Sequence, residues 1–169
     1  MNLSRIKKTA ALLLAAITLI LFVVSCTGDD PAPADVDFDT VCSTAADAIA
    51  LFDSSQYAPR EQSYIENFIK IKPSEYDGCT IRISTEGGSI NEYGVIAIPE
   101  GGSVKDTEDT IKAYFDFYRE IWDDRYTPEE YPKLRDAEVR SFGGKYVVYV
   151  IMDKSERNTV FSATGKLFG

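Results

Sequence analysis

The spacing of apolar residues along the chain predicts where helices and strands form. Apolar residues recur at helical spacing in four segments, at 41–52, 61–68, 103–122 and 155–168. Alternating or uniformly apolar runs predict strands at 79–84, 93–98, 138–142 and 145–152. The predicted fold is α+β, with an antiparallel sheet of about four strands (two hairpins) packed by helices in the order α-α-β-β-α-β-β-α.

Two of these elements are predicted to form the centre of the core. The helix at 103–122 carries its bulky apolar residues on one stripe: Ile111, Tyr114, Phe115, Tyr118, Ile121 and Trp122. Phe117 lies at the margin of this stripe, where we expect it to be exposed. The strand at 145–152 is apolar on both faces, which places it in the middle of the sheet.

The first 25 residues have the pattern of an export signal. Three cations, Arg5, Lys7 and Lys8, precede an uncharged and mostly apolar run at 10–24. As a helix, this run of 15 residues spans about 22 Å, which is shorter than the roughly 30 Å hydrocarbon core of a bilayer. We therefore expect a cleaved signal and not a permanent membrane span.

The signal ends in a small residue that is followed directly by a cysteine. The tetrad Val23, Val24, Ser25 and Cys26 resembles the lipobox of bacterial lipoproteins. This resemblance implies that the Cys26 sulfur receives a diacylglyceryl group, that the chain is cut before Cys26, and that the new amino end is acylated. The lipid would then hold the protein on the outer face of the cell membrane.

This interpretation divides the chain into a lipoprotein signal peptide at 1–25, a flexible tether at 26–37 and a single α+β domain at 38–169. The tether is acidic and contains prolines, so we expect it to be extended. Beyond residue 25 the chain has 15 basic and 27 acidic residues, which gives a net charge of −12. Such a chain repels phosphate backbones, and this excludes nucleic acid as a partner.

Histidine and cysteine usage limits the chemistry open to the protein. The chain has no histidine, which excludes Ser-His-Asp and Cys-His catalytic systems and histidine-ligated zinc. Besides Cys26 it contains only Cys42 and Cys79, which could form a disulfide or remain two buried free thiols. We favour free thiols, because a domain of this size is stable without a cross-link. We predict no catalytic set, no metal site and no cofactor apart from the lipid.

A five-residue motif occurs twice, as Glu-Gly-Gly-Ser-Ile at 86–90 and as Glu-Gly-Gly-Ser-Val at 100–104. Glycine-rich turns can bind anions through their backbone N–H groups. Neither copy, however, has the Lys-Ser/Thr pair of a phosphate-binding loop. We interpret both copies as turns in which glycine takes a positive φ angle.

Four acidic residues before the last hairpin are candidates for chemistry without histidine. Asp123, Asp124, Glu129 and Glu130 could supply the paired acid and base of a hydrolase. We favour the alternative that these are solvated helix-end acids, with Thr127 and Glu130 forming a capping box. A concave, partly buried pocket lined by two of these carboxyls would instead favour a ligand or active site. Calcium binding by the same acids is a third hypothesis, although the usual Asp-rich calcium loop is absent.

One stretch resembles a known family. It comprises YTPEEYPKL at 126–134 and, after a short segment, GKYVVYVI at 144–151. Together with the order of elements, it resembles the domain of unknown function numbered 4358, found in small lipoproteins of Gram-positive anaerobes. The resemblance extends over about 36–168. It implies an exported lipoprotein with an α+β domain, and it supplies no catalytic or binding residues.

The sequence therefore predicts a membrane-anchored, extracytoplasmic binding module without enzymatic activity. Its expected partners are the membrane, through the lipid on Cys26, and a protein, peptide or cell-envelope component. The alternative is a histidine-free envelope hydrolase that uses paired carboxylates.

Overall fold

The computed structural model describes residues 35–50, 57–122 and 127–169. The predicted signal, the lipobox, Cys26, Asp123 and Asp124 lie outside these residues. The helices are α1 (Phe38–Ala50), α2 (Gln62–Tyr64), α3 (Val104–Ile121), α4 (Tyr131–Arg135) and α5 (Lys154–Gly165). The strands are β1 (Tyr57–Pro59), β2 (Gly78–Ser84), β3 (Glu92–Ala97), β4 (Glu138–Phe142) and β5 (Tyr146–Ile151). A π-helical turn (Ile65–Ile69) continues α2, and a 3₁₀ turn (Pro73–Glu75) precedes β2.

The five strands form one sheet in the order β1-β2-β3-β5-β4, and all neighbouring strands are antiparallel. The predicted α+β class and both predicted hairpins are confirmed. The sheet has one strand more than we expected, because β1 was not predicted. This strand has three residues and ends in Pro59, which is too little for a recognisable alternation of apolar and polar positions.

Helices cover both faces of the sheet. Ile81, Ile96 and Tyr149 belong to a core cluster with residues of α3, whereas Val95 and Val148 belong to a second cluster with residues of α1 and α5. Every residue of β3 and β5 is buried. The predicted interior position of β5 is therefore confirmed, since it lies between β3 and β4, although β3 is the middle strand of the five.

The predicted apolar stripe of α3 is buried at its start but not at its end. Ile111, Tyr114 and Phe115 are buried, while Ile121 is 57% exposed. Tyr118 and Trp122 still pack, partly buried, against the same core cluster. At about 100° per residue, Ile121 lies at the margin of the stripe, and this position explains its exposure. Within the described residues, no helix has the length and apolar character needed to cross a membrane.

Side chains cap two of the helices, and the one capping box that we predicted is absent. The Thr40 N–H donates to the Asp37 carboxylate (2.8 Å) at the start of α1, and the Asp106 N–H donates to Ser103 Oγ (3.1 Å) at the start of α3. The predicted capping box of Thr127 and Glu130 is wrong. Here α4 begins at Tyr131, and Glu130 makes no side-chain cap because its carboxylate is bound elsewhere.

The two edges of the sheet are built differently from its centre. At one edge, β1 is only three residues long and ends in Pro59. At the other edge, β4 carries a salt bridge between Arg140 and Glu138 (2.7 Å), and the Arg140 guanidinium lies over the Phe161 ring. Each outer strand thus has a feature that limits pairing with a further strand: a proline in β1 and a surface charge pair in β4.

Candidate functional site

A concave cavity of about 470 Å³ lies beside the turn that follows α3. We call it the acidic pocket, and its lining residues are Glu86, Gly87, Gly88, Ser89, Asn91, Thr127, Glu129, Glu130, Lys133, Asp153 and Glu156. Among the described residues, the lining includes five carboxylate side chains and one cationic side chain. Two of the predicted acidic candidates, Glu129 and Glu130, therefore lie on one concave surface.

The first copy of the repeated glycine motif forms one wall of the acidic pocket. The Ser89 N–H donates to the Glu86 carbonyl (3.2 Å), which closes a turn between β2 and β3. Gly88 has a φ of +89°, and a Cβ at this position would lie 3.8 Å from Thr127 on the opposite wall. In the second copy Gly101 has a φ of +78°. The prediction of turns with positive φ is thus confirmed for both copies.

Glu130 connects the two walls of the acidic pocket. Its Oε2 accepts a hydrogen bond from the Ile90 N–H (2.9 Å), and its Oε1 accepts one from Lys133 Nζ (2.8 Å). Asp153 Oδ2 lies 3.9 Å from the same ammonium group. Both oxygens of Glu130 are therefore bonded within the pocket walls. The Lys133 ammonium already has two carboxylates near it, those of Glu130 and Asp153.

Asn91 is the exceptional residue of the acidic pocket. Its side chain is 5% exposed, and its backbone is well bonded, because the Ser84 N–H donates to the Asn91 carbonyl (2.8 Å). The side-chain oxygen Oδ1, in contrast, is buried and has no hydrogen-bond partner. A buried acceptor of this kind costs about 1–3 kcal/mol, so its presence in a pocket wall calls for an explanation.

Asn91 was not among the predicted site residues. An isolated asparagine between a glycine turn and a strand is typical of turn structure, and nothing in its neighbours marks it as buried.

Among the described residues, no set of three or more Cys, Asp or Glu side chains is arranged to hold a metal ion.

A second group of polar side chains is buried beneath α3. Glu92 is completely buried, and its carboxylate accepts hydrogen bonds from Arg60 Nε (2.7 Å), Tyr114 OH (3.0 Å) and Tyr149 OH (2.8 Å). We call these four residues the Glu92 cluster. Burial raises the pKa of Glu92, and the Arg60 charge and the two hydroxyl donors oppose this rise. Burial and the neighbouring Glu92 charge raise the pKa of Tyr149 well above its usual value, so this hydroxyl remains a donor.

Gly94 makes the geometry of the Glu92 cluster possible. It pairs with Tyr149 across β3 and β5, and a Cβ at Gly94 would lie 2.2 Å from Tyr149 Cε1. The tyrosine ring therefore lies directly over the glycine, and its hydroxyl reaches Glu92. The carboxylate has three donors and no contact with solvent, so this cluster is a closed polar part of the core.

The two cysteines of the domain are free thiols on different faces of the sheet. Cys42 packs against the core cluster of α1 and α5, and Cys79 packs against the cluster of α3. The side chain of Thr80, next to Cys79 on β2, hydrogen-bonds with Cys42. Burial raises the pKa of Cys79 to about 11. At neutral pH this thiol is therefore protonated and a poor nucleophile.

Two stacked aromatic rings lie at the surface, one on the π-helical turn and the other on α3. Phe68 is 44% exposed and stacks on Phe117, with 6.0 Å between ring centroids. Phe117 itself is half-buried, so our expectation of an exposed side chain is only partly correct. The two rings border a largely apolar cavity of about 540 Å³.

A comparison with protein families connects these features to known sequences. The sequence model described as Domain of unknown function (DUF4358) matches residues 52–152, which is more than half of the 169-residue chain. The chain belongs to this family. The match is narrower than the 36–168 suggested by the sequence. No curated protein and no solved structure matches the chain.

The DUF4358 region contains the whole sheet and α3. It therefore includes the Glu92 cluster and most of the acidic pocket, from Glu86 to Lys133. Asp153 and Glu156 lie just beyond the match, at the start of α5. A family of unknown function assigns no roles to these residues, so any role has to be inferred from their chemistry.

Proposed function

We propose that this DUF4358 protein is a lipid-anchored, extracytoplasmic binding module without enzymatic activity, and that its ligand site is the acidic pocket. One observation carries the choice of site: the buried oxygen of Asn91 lacks a partner in the wall of a cavity that is rich in carboxylates. The partner is a protein, a peptide or an envelope component that presents positive charge to this cavity.

The proposed location rests on the amino-terminal sequence. A charged start, a short apolar run and the tetrad Val23, Val24, Ser25 and Cys26 are the features of a lipoprotein signal. After cleavage, the tether at 26–37 would allow a reach of at most about 40 Å from the membrane. Replacing Cys26 with Ser should abolish labelling by a fatty-acid probe, and undiminished labelling would refute the anchor.

The binding role is tested with envelope material and charge-neutral variants. Immobilised protein should retain an envelope component that the double variant Glu86→Gln, Glu129→Gln releases. Glu100→Gln is the matched control, because it lies in the second copy of the glycine motif and does not line the acidic pocket. Equal retention by the wild-type protein and the double variant would exclude the pocket as the binding site.

A histidine-free hydrolase is the second candidate, because Glu129 and Glu130 both line one cavity. Against it stands the bonding of Glu130, whose two oxygens accept hydrogen bonds from Ile90 and Lys133. A carboxylate held in this way is a poor donor or acceptor of a substrate proton. Hydrolysis of purified cell-wall glycan or peptide that disappears in Glu129→Gln would favour the enzyme over the binding module.

A further inference from the structure

We propose that the acidic pocket binds a primary ammonium group, which is carried either by a small free amine or by a lysine side chain of a peptide. This inference rests on the proposed function and specifies its ligand. The described residues of the pocket lining include five carboxylates and one lysine, which gives this part of the cavity an excess of negative charge. Binding an organic cation there lowers the repulsion between the carboxylates.

The hydrogen-bond acceptors in the pocket indicate which kind of cation binds there. Asn91 Oδ1 is a neutral, buried acceptor without a donor, and carboxylates are acceptors only. A group with several N–H donors satisfies both kinds of oxygen at once. A metal ion fits less well, because the described residues include no set of three Cys, Asp or Glu side chains arranged to hold one.

The pocket also distinguishes between types of organic cation. Quaternary ammonium groups are recognised by aromatic cages, and none of the described residues that line the acidic pocket is aromatic. A primary ammonium, in contrast, is a compact charge with three donors. Lys133 shows that the pocket suits this group, because its own Nζ lies 2.8 Å from Glu130 and 3.9 Å from Asp153.

The size of the cavity is consistent with an aminoalkyl ligand. Small-molecule sites are concave cavities of about 300–1,000 Å³, and the acidic pocket has about 470 Å³. Glu86 and Glu129 stand on opposite walls, one in the glycine turn and the other in the turn before α4. A ligand between them would extend from the bonded Glu130 and Lys133 pair towards the glycine turn.

The test is calorimetric titration of the detergent-solubilised full-length protein. The probes are 1,5-diaminopentane and the amide of N-acetyl-lysine, with its trimethylated side-chain derivative and calcium chloride as comparisons. We expect at least one primary amine to bind and the trimethylated derivative to bind at least about tenfold more weakly, because one charged hydrogen bond is worth about that factor. Preference for diaminopentane indicates a free amine as ligand, and preference for the lysine amide indicates a peptide.

Two pocket variants and one matched control make the result specific. Asn91→Leu removes the unpartnered oxygen at similar volume, and Glu129→Gln removes one charge from a wall. Each should weaken amine binding about tenfold or more, whereas Glu100→Gln should change it less than about twofold. Circular dichroism and a denaturation curve establish that each variant is folded, and Glu129→Gln keeps the test decisive if Asn91→Leu does not fold.

Several outcomes would overturn the inference. These are calcium binding at the pocket in place of amines, equal binding of the trimethylated derivative, and unchanged affinity in both pocket variants. The proposed function can survive such a failure. If an envelope component still binds the wild-type protein but not the double variant at Glu86 and Glu129, the pocket is a binding site for a ligand that is not a primary amine.

Discussion

Two adjacent residues at the start of β3, Asn91 and Glu92, are almost equally buried but differ in their hydrogen bonding. The Glu92 carboxylate receives three hydrogen bonds, from one guanidinium and two hydroxyl groups. Asn91 Oδ1 receives none. The first residue belongs to a closed cluster under α3, and the second lies in the wall of an open cavity.

This difference separates a structural polar group from a candidate binding group. A buried charge with all its partners present holds neighbouring elements in one arrangement, and removing a partner is costly. A buried acceptor without a partner lowers stability as long as no ligand is bound. Glu92 is therefore expected to contribute to folding, and Asn91 is expected to contribute to binding at the expense of stability.

The largest expected effect is the loss of Glu92. Glu92→Leu removes the ion-pair partner of the partly buried Arg60 and the carboxylate that accepts from the Tyr114 and Tyr149 hydroxyls. The free energy of unfolding should fall by about 3–5 kcal/mol, as measured by urea denaturation. Glu75→Gln is the control, because the Lys72–Glu75 pair is exposed, and its loss should cost less than about 1 kcal/mol. Similar losses in the two variants would show that the Glu92 cluster is not structural.

The next largest effect is expected from Gly94→Ala. The added Cβ would lie 2.2 Å from the Tyr149 ring, so the ring must move away from Glu92. Overpacking of this kind costs about 1–3 kcal/mol, which urea denaturation can measure. Gly87→Ala is the matched control, because no heavy atom lies within 4 Å of its Cβ position. An unchanged midpoint for Gly94→Ala would contradict the close packing of Tyr149.

Asn91→Leu should have a smaller effect on stability, and of the opposite sign. It removes the unpartnered oxygen, so the free energy of unfolding should remain unchanged or rise by about 1 kcal/mol. The same variant should lose amine binding. A large loss of stability would mean that Asn91 is a structural residue like Glu92.

The smallest expected effect is that of salt concentration on amine binding. Amine binding at the acidic pocket should weaken severalfold between about 0.05 and 0.5 M sodium chloride, because ions screen charges that are open to solvent. The stability difference between wild-type protein and Glu92→Leu should hardly change over this range, since Glu92 is completely buried. Titration and urea denaturation at both salt concentrations measure the two quantities. Insensitivity of binding to salt would contradict a charge-based site.

The sequence indicated most of the fold, because the main elements carry strong local patterns. β5 is apolar on both faces, and this predicts an interior position in the sheet without further information. The stripe of α3 likewise identifies the side that packs on the sheet. Pro59 and the shortness of β1 hide the fifth strand, since it is defined by pairing with β2 and not by its own sequence.

The candidate site was harder to predict, because it depends on contacts between distant residues. Glu130 follows Thr127 at the spacing of a capping box, but its carboxylate accepts a hydrogen bond from the Ile90 N–H, 40 positions away. The two copies of the glycine motif look equivalent in sequence, yet only the first lines the acidic pocket. The missing partner of Asn91 is visible only when the structure around it is known.

The uniformly apolar strand β5 has a consequence for how the protein aggregates when it unfolds. Tyr146–Ile151 combines strong β-propensity with no charge, which is the signature of a segment that forms amyloid-like aggregates when exposed. In the native protein β3 and β4 cover both of its edges, and the Glu138–Arg140 pair on β4 acts as a gatekeeper. Heating that detaches β4 should therefore lead to irreversible precipitation, with an apparent melting temperature that depends on scan rate.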